Sequence, residues 1–240
     1  MKGFKKFEKN KEGKDYVIGD IHGNYSALEL LLSKVGFNKK IDRLFSVGDL
    51  VDRGIENHKS LEYLGYSWFH AIAGNHEYVL INASTKTYEE CYPKGKKNVN
   101  GNEWFFLLDN PARLEYIKAF KDLPIAIQVG DVGLVHAWSY PTWKETVKLA
   151  KKFDEAGLDK MTRSRTDAYK VKNGGSIDKV KGIEHVIVGH TIFDKPVYSG
   201  NTLFLDTGYY EDEGTLSIVE LGSMKISSVS KIDGDVRSLT

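Results

Sequence analysis

The sequence predicts one domain of the α/β class over residues 1–240. Short apolar segments typical of buried strands alternate with segments whose apolar residues recur at helical spacing. Several apolar segments end in a glycine that is followed directly by a polar residue, as in Ile18-Gly19-Asp20 and Val47-Gly48-Asp49. No stretch rich in proline, glycine or serine divides the chain, which is long enough for one substantial core. Because open α/β sheets collect ligands at the carboxyl ends of their strands, we expect a functional site there.

The composition is that of an ordinary soluble globular protein, with 41% hydrophobic and 28% charged residues. Lysine plus arginine (34) nearly balance aspartate plus glutamate (33), which argues against nucleic acid or membrane as a partner. The single cysteine, Cys91, excludes an intrachain disulfide and favours a reducing cytoplasm. We expect neither a signal peptide nor a membrane helix, since no apolar run approaches the roughly 20 residues that a membrane helix needs.

In the first half of the chain we expect three strands and two helices. The strands are predicted at 16–19, within 42–54 together with the loop that follows, and at 69–73. The first helix is predicted to begin near Ser26, with Asn24 or Ser26 as its cap, and to end at Gly36. A second helix is predicted at 58–64. The lysine-rich residues 1–15 are expected to form a peripheral arm or a short edge hairpin.

In the second half, the pattern weakens over residues 82–111, a long segment that is a candidate for substrate contact. Within it, residues 94–102 are interpreted as an exposed loop, and Trp104-Phe105-Phe106 is expected to return to the core. The predicted strands are 125–129, 132–135, 186–188, 203–208 and 215–219. A helix is predicted at 143–156, whereas the basic residues 160–175 are expected to be irregular. The tail after Ser230 is expected to be frayed.

The polar residues at the predicted strand ends form a set suited to divalent metals. The candidate ligands are Asp20, His22, Asp49, Asn75, His136 and His190. All offer oxygen or imidazole nitrogen and none offers sulfur, which favours manganese, iron or zinc over calcium. Six donors are too many for one metal with open positions, but they fit two metals that share a carboxylate. Two metals about 3.5–4 Å apart can hold a hydroxide between them and polarise a phosphoryl oxygen.

Three further residues near these ligands suit phosphate chemistry. Arg53 offers a planar fork for phosphate oxygens. His76 can protonate a leaving oxygen, and Asp52 can orient its ring and stabilise the charged form. The plainer alternative is that Asp52 and Arg53 form only a structural ion pair. The histidines that lie apart from these segments are interpreted as ordinary packed side chains; they are His58, His70 and His185.

The chain resembles the phosphoprotein phosphatase family of calcineurin-like metallophosphatases. The segments that carry the resemblance are Gly19-Asp20-Ile21-His22-Gly23, Gly48-Asp49-Leu50-Val51-Asp52-Arg53-Gly54 and Gly74-Asn75-His76-Glu77. Val135-His136-Ala137 and Val188-Gly189-His190-Thr191 are similar to the family's remaining ligand segments. The likeness is greatest to the phage-type, lambda-like members, and it extends to Glu56-Asn57, Trp104-Phe105-Phe106 and Leu205-Asp206-Thr207-Gly208.

The resemblance implies a β-sandwich flanked by helices, with two divalent metals at the carboxyl ends of the strands. Asp20, His22 and Asp49 would hold one metal, and the second would be held by Asp49, Asn75, His136 and His190. Manganese is the first candidate, with zinc or iron as alternatives. His76 and Asp52 would form the acid pair, and Arg53 would bind phosphate.

The family's second phosphate-binding arginine most resembles Arg163 in the segment Met161-Thr162-Arg163. The lambda-like pattern has tryptophan where this chain has Met161, so Arg165 is an alternative. Each arginine, taken singly, could also belong to a solvated basic face.

The implied activity is hydrolysis of phosphoserine and phosphothreonine, extending to phosphotyrosine, in proteins or peptides, by attack of a metal-bridging hydroxide. A dinucleoside tetraphosphate hydrolase of the same fold is the first alternative, although such enzymes tend to lack an aspartate in the place of Asp52. A binding module without catalysis is the second alternative, and the presence of every ligand and of His76 argues against it.

Overall fold

A computed structural model describes residues 3–94, 96–152 and 155–234. The strands are β1 (Phe4–Phe7), β2 (Asp15–Ile18), β3 (Arg43–Ser46), β4 (Phe69–Ala71), β5 (Ala126–Val129), β6 (Val132–Val135), β7 (His185–Val188), β8 (Val197–Ser199), β9 (Thr202–Phe204), β10 (Thr215–Glu220) and β11 (Lys225–Ser230). The helices are α1 (Tyr25–Lys34), α2 (Lys59–Gly65), α3 (Asn75–Asn82), α4 (Tyr88–Cys91), α5 (Glu103–Leu107), α6 (Asn110–Lys121), α7 (Trp143–Lys152), α8 (Glu155–Arg163), α9 (Thr166–Lys172) and α10 (Lys231–Gly234).

These strands form two mixed sheets. The five-stranded sheet has the order β11-β10-β2-β3-β4, in which β2, β3 and β4 run parallel and β10 and β11 are antiparallel. The six-stranded sheet has the order β1-β5-β6-β7-β9-β8, with parallel pairing of β6 to β7 and of β7 to β9. The parallel strands of each sheet therefore deliver their carboxyl ends to a common edge.

The two sheets pack face to face, as alternate side chains on β2 show. Val17 lies in an apolar layer with residues of both sheets, whereas Tyr16 and Ile18 face the larger cluster that includes the helices. The shared layer contains Phe45, Val47, Ile127, Leu134, Ile187 and Leu203. The helices lie on the outside, where α1 packs on β10 and β11 and α7 packs on β1 and β5. Strands buried on both faces explain the continuous apolar runs of the sequence. The predicted sandwich flanked by helices is confirmed.

Three regional predictions are corrected by the structure. Of residues 1–15, the described residues 3–15 supply β1, which pairs in parallel with β5 at the sheet edge and, within that described part, forms no hairpin. The segment 82–111 is not a structureless loop, since it contains α4, α5 and the start of α6. The basic segment 160–175 is largely helical, because the apolar side chains of Met161 and Ala168 pack into the core at 1% and 3% exposure.

The predicted helix at 143–156 is α7 up to Lys152, and α8 begins at Glu155. Residues 153 and 154 lie outside the described residues. After Ser230 the chain continues in α10, and the remaining six residues also lie outside the description. Within the described ranges, no helix combines the length and apolarity that crossing a membrane requires.

Candidate active site

The predicted site residues gather where strands of both sheets end. Asp20 and Asp49 follow β2 and β3 of the five-stranded sheet, and His136 and His190 follow β6 and β7 of the six-stranded sheet. Asn75 is the first residue of α3, after β4. Backbone hydrogen bonds join the segments, for instance from Ile21 N to Asp49 O at 3.1 Å and from Gly189 N to His136 O at 2.8 Å. The functional side chains therefore lie at one edge of the sandwich.

The loops that carry these residues have unusual backbone geometry. Among the described residues, six that are not glycine have a positive φ, and five of them are predicted site residues. These five are His22 (46°), Asp49 (50°), Asp52 (73°), Arg53 (69°) and His190 (66°). Such conformations cost energy for residues with a Cβ, so the surrounding structure must hold them in place. Concentration of strain in predicted ligands and phosphate-binding residues is typical of a functional site.

Asp49 lies at the centre of the donor set. Its Oδ2 is 3.3 Å from His136 Nε2 and 3.7 Å from His22 Nε2. Two overlapping groups of candidate donor atoms share Asp49, one with His136 and His190, the other with His22 and His76, and the atoms of each group lie within 4.8 Å of one another. This arrangement is the one expected of a carboxylate that bridges two metals.

Hydrogen bonds to carbonyl groups orient the candidate histidine ligands. His22 Nδ1 lies 3.0 Å from Val51 O, and His136 Nδ1 lies 2.7 Å from Val47 O. Because a carbonyl only accepts, each Nδ1 carries the proton and leaves the Nε2 lone pair for a metal. In His190 the Nε2 is 3.2 Å from Arg163 O, which leaves Nδ1 as the free nitrogen. Backbone carbonyls that fix the histidine tautomer are typical supports of metal ligands.

Asn75 and Asp20 also lie beside the candidate histidine ligands, Asn75 next to His136 and Asp20 next to His190. Asn75 Oδ1 lies 3.1 Å from His136 Nε2, next to the group with His190. Asp20 Oδ2 accepts from His190 N at 3.0 Å, while its Oδ1 is buried and has no hydrogen-bond partner. A buried carboxylate oxygen without a partner is costly unless a cation meets it. The predicted donors therefore fit a pair of divalent ions.

Two glycines make room for the carboxylates. A Cβ on Gly189 would lie 2.0 Å from Asp20 Oδ1, and a Cβ on Gly74 would lie 2.1 Å from Asp49 Oδ1. No side chain fits at either position without displacing a candidate ligand. The glycines before the polar residues thus serve close approach of the backbone to the site.

Buried negative charge dominates the site. Burial raises the pKa of Asp20 well above its ordinary value, and the carboxylates of Asp206 and Asp49 raise it further. Burial also raises the pKa of Asp206 to about 6. For Asp49 the burial effect is outweighed by neighbouring histidines, His136 first, so its pKa lies well below the ordinary value. Buried carboxylates this close together repel one another unless cations bind between them, which supports metal binding.

Burial lowers the pKa of His22 and of His190 to about 3 each. Both imidazoles are therefore neutral at physiological pH, the form in which histidine binds metals.

Glu77 stabilises the loop that carries Asp49 by accepting hydrogen bonds from its backbone amides. Its carboxylate accepts from Asp49 N at 3.0 Å, Leu50 N at 2.8 Å and Gly74 N at 2.8 Å, and the side chain is fully buried. The last of these contacts satisfies the amide of Gly74, the N-cap residue of α3, as a glutamate at the third helical position does in a capping box. Glu77 thus ties the Asp49 loop to the start of α3. In the sequence, the three-residue spacing between Gly74 and Glu77 is the feature that indicates this capping contact.

His76 and Asp52 form a close buried pair. His76 Nδ1 lies 2.6 Å from Asp52 Oδ2, and Trp104 Nε1 donates to Asp52 Oδ1 at 2.8 Å. Burial lowers the pKa of His76, but the carboxylates of Asp49 and Asp52 outweigh it and raise the pKa to about 8. The other ring nitrogen, Nε2, is 3.9 Å from Asp49 Oδ2 and thus directed at the centre. The geometry suits an acid beside the candidate metal ligands, and it also places His76 among the candidate donor atoms.

The three arginines occupy different positions. The Arg53 guanidinium lies 5.0 Å from the ring centroid of Tyr210, whose ring is in turn 4.9 Å from that of His22. The Arg163 side chain is 45% exposed, with its Nε 3.6 Å from Asp159 Oδ1 on the same helix. Arg165 is partly buried and close enough for its charge to lower the pKa of His190 and of Asp206. Arg53 thus lies near His22, with the Tyr210 ring between them. The backbone carbonyl of Arg163 contacts the His190 ring, and the charge of Arg165 lowers the pKa of His190.

The sequence analysis assigns no role in the site to Trp104, Tyr210 or Asp206, which the structure brings there, although Trp104 and Asp206 lie in segments that carry the family resemblance. All three lie far along the chain from the residues they contact, and no local spacing marks them. His70, by contrast, packs 4.6 Å from the Phe7 ring and 5.0 Å from the Phe45 ring, in line with its interpretation as a packed side chain.

The chain matches known proteins over most of its length. A model of the calcineurin-like phosphoesterase family matches residues 16–194. Serine/threonine-protein phosphatase 2 of Escherichia coli strain K12 is 30% identical over 213 residues, covering 86% of this chain and 92% of that protein. A symmetrical bis(5'-nucleosyl)-tetraphosphatase of Neisseria meningitidis is 33% identical over 136 residues, but covers only 55% of this chain and 45% of that protein.

Among solved structures, one described as a candidate diadenosine tetraphosphatase superposes with a TM-score of 0.67. It is 22% identical and covers 94% of this chain and 97% of that one. At this identity the likeness concerns the fold, and it agrees with two sheets flanked by helices.

Proposed function

The chain belongs to the calcineurin-like phosphoesterase family, and we propose that within it this protein is a phosphomonoesterase acting on phosphoserine and phosphothreonine in proteins. It is a hydrolase of the metallophosphoesterase superfamily, and the proposal concerns its substrate. The buried pair of His76 and Asp52 beside the Asp49 donor set carries the proposal. A protonated imidazole at this position suits a leaving alkoxide, which is a poor leaving group and needs a proton.

Metals would bind in two positions that share Asp49. One would take His22 and Asp20, and the other would take Asn75, His136 and His190. Bound there, two divalent ions would supply an activated water and polarise the phosphoryl group. We propose manganese as the metal, with zinc or iron as alternatives suited to the same oxygen and imidazole donors.

The chain's own residues would then bind the phosphate and move the proton. The exposed guanidinium of Arg53 offers two parallel donors to phosphate oxygens. His76 holds a proton on Nε2 at neutral pH, because its pKa is raised to about 8, and would deliver it to the leaving oxygen. Asp52 would hold the ring through Nδ1 and stabilise its charged form.

Arg163 is proposed as the second phosphate-binding arginine on the strength of its family resemblance. Its contact with Asp159 is an exposed ion pair at 3.6 Å, worth about 0–1 kcal/mol, so the side chain is free to turn toward a bound phosphate. Arg165 is the competitor, since its charge already acts on His190. Alanine variants of the two distinguish the roles.

A dinucleoside tetraphosphate hydrolase is the competing function, and the partial tetraphosphatase match favours it. The much longer match to the serine/threonine phosphatase, together with the presence of Asp52, supports the phosphomonoesterase. The test compares phosphate release from a phosphoserine peptide with hydrolysis of diadenosine tetraphosphate, on the same manganese-loaded protein. Preference for the dinucleotide would overturn the proposal. Failure on both, and on p-nitrophenyl phosphate, would indicate a binding module without catalysis.

A further inference from the structure

Trp104 bonds to the oxygen of Asp52 that His76 does not use. The indole Nε1 donates to Asp52 Oδ1 at 2.8 Å, while His76 Nδ1 is 2.6 Å from Oδ2. The Asp52 side chain is completely buried, so water does not compete for either oxygen in this state. Both oxygens of one carboxylate are therefore occupied by donors from two separate parts of the chain.

We propose that Trp104 is a positioning residue for proton transfer: its indole N–H fixes the rotation of the Asp52 carboxylate, which in turn aims His76. The inference rests on the proposed function of His76 as the acid. The last torsion of an aspartate side chain has a broad, weakly preferred range, so hydrogen-bond partners decide where its oxygens point. With Oδ1 unpartnered in a dry site, the carboxylate gains from turning toward another donor, and the His76 ring then loses its support.

The tryptophan is itself held firmly. It lies in α5, and its ring centroid is 5.0 Å from that of Tyr116 and 5.8 Å from that of Phe105. The residue before α5, Asn102, is fully buried and accepts hydrogen bonds on Oδ1 from Tyr92 OH at 3.0 Å and from Asn98 Nδ2 at 2.8 Å. A rigidly placed donor is what positioning requires.

The same segment also contacts the backbone of Arg53, the proposed phosphate-binding residue next to Asp52. Gly101 O accepts from Arg53 N at 3.4 Å, and a Cβ on Gly101 would lie 3.0 Å from that nitrogen. The segment 101–104 thus packs against Arg53 through its backbone and against Asp52 through Trp104. This explains why a region of weak periodicity is ordered at the site.

Trp104→Phe tests the inference, because it removes the N–H and keeps an aromatic ring. We expect hydrolysis of a phosphoserine peptide to slow on the order of tenfold, the scale of one hydrogen bond. Hydrolysis of p-nitrophenyl phosphate should slow much less, since its leaving group needs little protonation. Metal content should stay unchanged. The matched control is Trp143→Phe, which removes an indole hydrogen bond of 2.7 Å to Gln128 Oε1 outside the predicted site residues.

A double-mutant cycle separates positioning from packing. If Trp104 acts through Asp52, then Trp104→Phe combined with Asp52→Asn should be no slower on phosphoserine than Asp52→Asn alone. Equal loss on both substrates, or additive losses in the double variant, would make Trp104 a packing residue and overturn the inference. The acid role of His76 would survive that result if Asp52→Asn still slows phosphoserine selectively.

A measurement without catalysis tests the contact directly. The indole N–H proton resonance of Trp104, assigned by its loss in Trp104→Phe, should move upfield in Asp52→Asn as the charged acceptor is lost. The Trp143 resonance should stay in place. An unmoved Trp104 resonance would overturn the inference whatever the substrate proves to be. If neither phosphomonoester is hydrolysed by the parent protein, the proposed function fails, and this readout still decides the contact.

Discussion

The backbone amide of His190 donates to Asp20 Oδ2 at 3.0 Å, joining residues 170 positions apart in the chain. Asp20 follows β2 of one sheet, and His190 follows β7 of the other. The candidate metal centre therefore exists only when the two sheets are packed together. Metal binding and the packing of the sandwich should be coupled, since an ion that binds only the folded chain stabilises it.

Removal of divalent metal should abolish activity and lower thermal stability. At a free metal concentration of about 100 times Kd, binding at each site contributes about 2.7 kcal/mol, which corresponds to roughly 5–10 °C in Tm per site for a chain of this size. The measurement is a melting curve and an activity assay on protein stripped with chelator, then reloaded with manganese, zinc, iron or magnesium. Full activity at a metal content near zero would exclude the dinuclear centre.

Asp49→Asn should be the most damaging ligand substitution, because Asp49 is the only carboxylate common to both donor groups of the described residues. We expect the protein to lose both metals and at least about 100-fold in activity, beyond the effect typical of an outer-shell change. Metal analysis after gel filtration measures the stoichiometry. Asn75→Ala is the comparison, since it should affect one metal only. An Asp49→Asn protein that retains two tightly bound metals would show that the bridge lies elsewhere.

Arg53→Ala and Arg163→Ala should each impair catalysis while both metals stay bound. Loss of a charged donor to the phosphoryl group should cost on the order of 2–4 kcal/mol of transition-state stabilisation. Arg165→Ala should reduce activity less, and it should act mainly by removing a positive charge that lowers the pKa of His190. Activity and metal content are measured on all three. A larger loss in Arg165→Ala than in Arg163→Ala would transfer the phosphate-binding role to Arg165.

His70 should contribute to the loss of stability in acid. Burial between the rings of Phe7 and Phe45 lowers its pKa from 6.5 to about 4, so the unfolded chain binds this proton more readily than the folded one. The stability is present above about pH 6.5 and is lost as pH falls toward 4. His70→Gln should reduce this part of the pH dependence by about 2 kcal/mol, after allowance for partial solvent screening.

Urea unfolding between pH 4 and 7 measures that change, and His58→Gln, at an exposed position, is the control. Equal pH dependence in the parent and in His70→Gln would refute the assignment.

The sequence predicted the parts of the site that local chemistry specifies. Apolar runs that end in a glycine and a polar residue located Asp49 and His190, and the end of an apolar run alone located His136, since these patterns need only neighbouring residues. The contacts of Trp104 with Asp52 and of Tyr210 with Arg53 depend on how distant segments pack, which no spacing encodes. The helices α8 and α9 were not predicted, because the many basic residues of this segment leave few apolar positions, such as Met161 and Ala168, to indicate a buried helix face.

His76→Asn should reveal whether His76 is an acid or a metal ligand. The His76 Nδ1 is engaged by Asp52 at 2.6 Å, and its Nε2 is 3.9 Å from Asp49 Oδ2, so only Nε2 can meet either a metal or a leaving group. As an acid, His76 matters in proportion to how poor the leaving group is. The variant should therefore slow phosphoserine hydrolysis severely, by about 100-fold or more, and p-nitrophenyl phosphate hydrolysis less. Both substrates and the metal stoichiometry are measured on one preparation, with His58→Gln as the histidine control. Equal losses on the two substrates would argue against leaving-group protonation, and loss of one metal would make His76 a ligand, as its place among the candidate donor atoms permits.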